Sequence, residues 1–190
     1  MLKVIAGRWR GRGIVTPSDR RLRPTTAKLR ESVFSQLQGF VYEARFLDLY
    51  AGTGMMGFEA LSRGAATCLA VEKHPQHVAM ILDNVKRLNI SHQEYSLLQR
   101  DVPVWIQHAN KLPAFDLVYV DPPYEDSNQM ETIVMALFQP NYLWLHEDSI
   151  VMVEQDKHAD PLPEIEGREM QRREYGRSVL SVYKPAFIND

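Results

Sequence analysis

From residue 46 onward, short apolar runs alternate with stretches whose apolar positions recur every three to four residues. The runs 46–50, 67–71, 95–98 and 115–120 read as strands, and helices are predicted from Met55, from Pro75, near Val102 and from Gln129. Continuous apolar strands separated by helices are buried on both faces, which predicts a doubly wound, mainly parallel α/β sheet. The texture changes at Ser149. Segments 149–153, 168–175 and 178–183 follow one another without amphipathic helices, and Gly176-Arg177 joins the last two. That turn predicts an antiparallel pair, giving seven strands with an antiparallel strand at the carboxyl end.

The first forty residues follow a different pattern. Segments 3–6 and 13–15 flank a turn punctuated by Gly7 and Gly11 and read as a small hairpin. Pro17 and Pro24 then break the chain, and Thr25 or Thr26 can cap a helix carrying Leu29, Val33, Phe34 and Leu37, which ends before Gly39. The expected organisation is therefore an extension, 1–40, attached to a main domain, 41–190.

Composition adds bounds to this picture. A chain of 190 residues, 45% apolar and 24% charged, is ordinary for a globular protein. It can bury about 70% of its unfolded surface without a disulfide or metal staple. The one cysteine, Cys68, lies among Ala66, Leu69, Ala70 and Val71 and reads as a small buried hydrophobe. A reducing, cytoplasmic setting and a monomer are expected. The first residues form too short an apolar stretch for a signal peptide, and no run is long enough to span a bilayer.

Charge is unevenly placed. The whole chain carries −2, yet residues 1–30 hold nine basic side chains against Asp19 alone, a local +8, which leaves −10 on residues 31–190. An arginine-dominated arm on an acidic body is the footprint expected of phosphate contacts. Arg8, Arg10, Arg12, Arg23 and Arg30, with Thr25, are the candidate nucleic-acid contacts. Trp9 joins them as an aromatic that can stack on a base or else pin the arm to the core.

Ligands of an open parallel sheet bind beyond the carboxyl ends of its strands. Four such ends carry a carboxylate: Asp48, Glu72, Asp101 and Asp121. After the first comes Tyr50-Ala51-Gly52-Thr53-Gly54-Met55-Met56-Gly57, a glycine pattern that lets a ligand approach a helix N-terminus closely. Glu72, twenty residues beyond Gly52, suits a ribose diol of either a nicotinamide or an adenosyl cofactor. The ring of carboxylates would repel a pyrophosphate and attract the sulfonium and ammonium of S-adenosylmethionine, so a methyl donor is expected. Lys73 and Val102, next to Glu72 and Asp101, complete the candidate cofactor residues. Asp121-Pro122-Pro123-Tyr124 follows an apolar strand directly. Its prolines stiffen the backbone and leave carbonyls free to accept from an amino group; Asp121 adds an acceptor and Tyr124 a stacking face. His74 and His77, one turn apart, lack a third and fourth metal ligand. Trp105, Trp144 and 135–138 read as core, and the sign-alternating run 164–174 as a solvated face or edge strand.

Four stretches together resemble the bacterial 16S ribosomal RNA guanine-N2 methyltransferases. They are Val4-Ile5-Ala6-Gly7-Arg8-Trp9-Arg10-Gly11-Arg12, Leu22-Arg23-Pro24-Thr25-Thr26 with Arg30-Glu31, Asp48-Leu49-Tyr50-Ala51-Gly52-Thr53-Gly54, and Asp121-Pro122-Pro123-Tyr124. The resemblance implies a class I, Rossmann-like methyltransferase fold with S-adenosyl-L-methionine as cofactor. It further implies a guanine of 16S ribosomal RNA as substrate, within the small subunit or its assembly intermediate. Gly52, Gly54, Glu72 and Asp101 would hold the cofactor and Asp121 to Tyr124 the base; many members have Phe where this chain has Tyr124. The alternatives are a DNA adenine-N6 methyltransferase, a nicotinamide-dependent oxidoreductase and a noncatalytic RNA-binding factor.

Overall fold

The computed structural model describes residues 2–16, 26–108, 113–123, 129–139 and 144–186. Strands β1 (Leu2–Lys3) and β2 (Gly13–Ile14) pair antiparallel as the predicted hairpin, Leu2 opposite Ile14. Helix α1 (Ala27–Gln36) starts where expected: the Thr26 hydroxyl accepts the Leu29 N–H, so Thr26, not Thr25, is its cap. The main sheet comprises β3 (Arg45–Leu49), β4 (Thr67–Glu72), β5 (Tyr95–Gln99), β6 (Phe115–Val120), β7 (Leu145–Asp156), β8 (Arg168–Tyr175) and β9 (Ser178–Pro185). Its order is β5-β4-β3-β6-β7-β9-β8; β9 alone runs antiparallel to its neighbours. Strand order thus reverses between β3 and β6, where ligands of such sheets bind.

Four helices connect these strands: α2 (Met55–Ser62), α3 (Pro75–Leu88), α4 (Val102–Ile106) and α5 (Met130–Leu137). Helix α3 has proline in its first turn, Lys86 and Arg87 in its last, and Asn89 in the left-handed region as a stop. Alternate strand positions feed two apolar layers. Phe46, Cys68, Ala70, Leu117 and Tyr119 pack with α1, α2 and the hairpin, whereas Leu47, Leu49, Val71, Val118 and Val120 pack with α4 and α5.

Two side chains, Met135 and Arg30, are placed otherwise than the sequence predicts, and Trp9 takes one of the two roles left open for it. Met135 is exposed on α5, between the buried Val134 and Ala136, because it falls on the helix face turned from the sheet. Trp9 is buried in the α1–α2 layer and so takes the pinning role, leaving no face for a base. Arg30 is also buried; its Nη2 donates to the Lys3 carbonyl at 3.2 Å, and burial lowers its pKa against the opposing pull of Glu59 and Tyr119. It therefore tethers hairpin to helix and does not reach a nucleic acid from this position.

The extension is keyed into α2. Ile5 and Ala6 donate their N–H groups to the buried Glu59 carboxylate at 2.8 and 3.0 Å, and Arg8 and Trp9 donate theirs to the Ser62 carbonyl and hydroxyl. Gly7 lies so close that a Cβ would come within 1.7 Å of the Ser62 oxygen, at a φ of +80°. Farther along, Asn84 of α3 exchanges two hydrogen bonds with the Val15 backbone, acting as a one-residue strand partner.

Candidate cofactor and base site

The carboxyl end of β3 begins the site. Tyr50 adopts a positive φ of 62°, which turns the chain out of the strand; Ala51 still bonds to the Val71 carbonyl, and Gly52 and Gly54 then take positive φ to close the turn onto α2. Gly54 is the left-handed N-cap of α2, where a Cβ would meet the Phe58 ring at 2.9 Å and the Tyr95 hydroxyl at 3.1 Å. Gly57 is required for space: its Cβ would stand 2.6 Å from Cys68 Sγ. The third glycine thus lets α2 lie against β4 and β5, which lifts the helix N-terminus to the sheet rim.

Two predicted carboxylates hold this loop from behind. Glu72, buried at the end of β4, accepts from the N–H groups of Gly52 and His74, each at 2.8 Å, and lies 3.4 Å from His77 Nδ1. Two donors leave part of a carboxylate's acceptor capacity unused, enough for a ribose diol. Asp48 is fully enclosed and accepts the Gly57 N–H at 3.1 Å. Burial pushes its pKa up to about 7, the Gly57 bond opposes this, and the nearby Glu72 adds to it. Burial likewise raises the Tyr95 hydroxyl and the Cys68 thiol well above their usual values, consistent with an inert, packed thiol.

Along the rim, Asp101 caps α4 and lies 3.9 Å from Lys73 Nζ. Val102 is buried beneath α4, so its side chain belongs to the core. Ala51 and Thr53 are buried in the turn. The donor set is a glycine turn, buried carboxylates and a rim acid, and it fits an adenosyl group with a cationic methyl donor: Gly52 and Gly54 keep the turn tight, and the Glu72 and Asp101 carboxylates stand beside it. Among the described residues, no three His, Cys, Asp or Glu side chains gather as for a metal ion.

Asp121, Pro122 and Pro123 leave β6 immediately beside the glycine turn, and the Asp121 N–H points to the Leu49 carbonyl of β3 at 3.4 Å. Tyr124 lies outside the described residues, as do Arg23 and Thr25. Of the predicted arm contacts, Arg10 and Arg12 are exposed, while Arg8 stacks over Trp9 at 3.9 Å and pairs with Glu94. Sequence reasoning missed Tyr95 and Phe58, which stack at 5.2 Å under the glycine turn. It also missed the anchors Glu59, Ser62 and Asn84, although polar residues amid the apolar runs of α2 and α3 were a usable signal.

Known proteins are similar to this chain in sequence and in fold. Ribosomal RNA small subunit methyltransferase D of Buchnera aphidicola is 32% identical over 154 residues, covering 81% of this chain and 78% of that protein. The Escherichia coli protein of the same name is 32% identical over 155 residues, covering 82% and 75%. The solved structure described as "Putative methyltransferase yhhF", also from Escherichia coli, superposes with a TM-score of 0.83 over 97% of each chain at 26% identity. The family described as Conserved hypothetical protein 95 matches residues 2–184, from the first strand of the hairpin almost to the end of β9, and the chain is a member of it.

Proposed function

We propose that this chain transfers a methyl group from S-adenosylmethionine to the N2 amine of a guanine in 16S ribosomal RNA, in the small subunit or an assembly intermediate of it. An rRNA methyltransferase is what its relatives support, and the amine is supported by the acceptors that Asp121-Pro122-Pro123 offers. The observation that carries it is the adjacency of two neighbouring strand ends: the glycine turn after β3 and Asp121-Pro122-Pro123 after β6, joined through the Asp121 N–H and the Leu49 carbonyl.

S-adenosylmethionine, when bound, supplies an electrophilic methyl group on a positive sulfur. Glu72 would hold the ribose, and the Gly52–Gly54 backbone would leave space for the rest of the cofactor. An exocyclic amine is a weak nucleophile because its lone pair is delocalised into the ring. The Asp121 carboxylate and the carbonyl oxygens of the proline pair accept from its two N–H groups, orient it and free that lone pair for in-line attack. Once methylated, the nitrogen is acidic and loses its proton to Asp121 or to water. Positioning carries most of the rate. Asp121→Ala is expected to lower kcat at least about a hundredfold with cofactor Kd changed less than about threefold; single-turnover methylation with isothermal titration checks this, and an unaltered kcat removes Asp121 from the reaction.

A further inference from the structure

Strand β7 overshoots its neighbour at the site. Val120, the last residue of β6, pairs with Val153, and β7 continues three residues to Asp156, about 10 Å beyond the rim. There Asp156 pairs with Ser178 of β9, Ser178 pairs with Tyr175 of β8, and the Lys157 N–H donates to the Arg177 carbonyl at 2.9 Å. The Gly176-Arg177 turn therefore stands at the same edge of the sheet as Asp121, roughly 10 Å to the side, past β7.

This turn carries exposed cations. Lys157, Arg172, Arg173 and Arg177 are exposed, and among the described residues none of them is in an ion pair. Elsewhere on this acidic body, Arg45, Arg63 and Arg87 are each matched to a carboxylate, whereas Lys86 and Arg100 are exposed without an ion pair among the described residues; the hairpin differs in gathering four such cations at one turn. Of the acids near the turn, Asp156 is engaged by the His158 N–H, and strand alternation turns Glu174 to the opposite face from Arg173. Guanidinium groups left without carboxylates beside a base-binding segment are suited to phosphate diesters.

We propose that the β8–β9 hairpin, through Lys157, Arg173 and Arg177, is a second RNA-backbone contact that grips phosphates flanking the target base. It rests on the reading of the chain as an rRNA methyltransferase. The amino-terminal hairpin docks on α2 and α3, on the β3–β5 half of the sheet, and the β8–β9 hairpin closes the other half. Phosphates held by the β8–β9 hairpin would fix RNA beside Asp121–Pro123 at the rim without a base-specific contact from the hairpin.

The test is the pair Arg173→Ala and Arg177→Ala combined, with Arg87→Ala as a control surface arginine. Binding to small ribosomal subunits lacking the modification is measured across a salt series, together with KM, kcat and cofactor affinity. Loss of two phosphate contacts predicts a salt slope shallower by about 1.4 to 1.8. KM for the subunits should rise at least about fivefold while kcat and cofactor affinity hold, and Arg87→Ala should do nothing. An unchanged slope and KM in the double variant, or an equal loss in Arg87→Ala, overturns the hairpin contact. Wild-type protein that neither binds nor methylates the subunits overturns the underlying reading instead.

Discussion

The buried Asp48 carboxylate of β3 accepts the Gly57 N–H of α2 at 3.1 Å. One bond ties the first carboxylate of the rim to the third glycine of the turn, and it joins β3 to α2 at the point where the helix must lie closest to the sheet.

The environment of Asp48 makes stability depend on pH. Its folded pKa, about 7, lies above the ordinary 3.8, so the folded state holds the proton more tightly than the unfolded chain. The contribution is complete below about pH 4, is lost as pH rises through 7, and is flat above. Asp48→Asn keeps an oxygen acceptor for Gly57 and has no charge to bury. The variant should gain on wild type between pH 4 and 7, by at most about 4 kcal/mol above that. Urea unfolding at pH 4, 6 and 8 reads the difference; a gap constant with pH contradicts it.

Space at Gly57 yields a second test. Gly57→Ala places a methyl 2.6 Å from Cys68 Sγ, in a layer without slack, and should cost about 1–3 kcal/mol. Cys68→Ala removes the obstructing sulfur. The double variant should therefore be more stable than the two single losses predict, whereas simple additivity in a double-mutant cycle refutes the contact.

Glu59 should govern the extension. Replacing it with alanine leaves the Ile5 and Ala6 N–H groups and the buried end of the Arg63 pair without their acceptor, at about 2–4 kcal/mol. Hydrogen exchange should then show lost protection at Ile5, Ala6, Arg8 and Trp9, with β3 and β6 still protected. Protection retained at residues 5–9 would mean that Glu59 does not govern the extension and that Ser62, Asn84 and the packing of Val4, Trp9 and Ile14 hold it without Glu59.

Much of this was readable in the chain because doubly buried strands leave unbroken apolar runs: β6 and β8 begin and end where the pattern places them. Strand β7 was predicted over 149–153 yet spans Leu145–Asp156, because His146, Glu147 and Asp148 at its start are exposed and carry no apolar signal. The glycine turn was legible because spacing along one strand-turn-helix unit determines it, and the four carboxylates because each stands at or near the end of its own strand. The role of Trp9 was left open, and Arg30 was misplaced, for the converse reason. Their burial depends on α2, some fifty and thirty residues downstream, and a run of arginines looks solvent-exposed until Glu59 and Ser62 are folded beneath it. The β8–β9 hairpin reads locally as a charged edge; only the register of β7 against β6 brings it to the rim.

The central claim is tested most directly by supplying labelled S-adenosylmethionine with unmodified small ribosomal subunits, naked 16S ribosomal RNA or duplex DNA, and identifying the methylated nucleoside by mass spectrometry. The account predicts N2-methylguanosine from the ribosomal substrate and none from DNA. N6-methyladenine from the duplex, or no methyl transfer to any of the three while S-adenosylmethionine is bound, would contradict it.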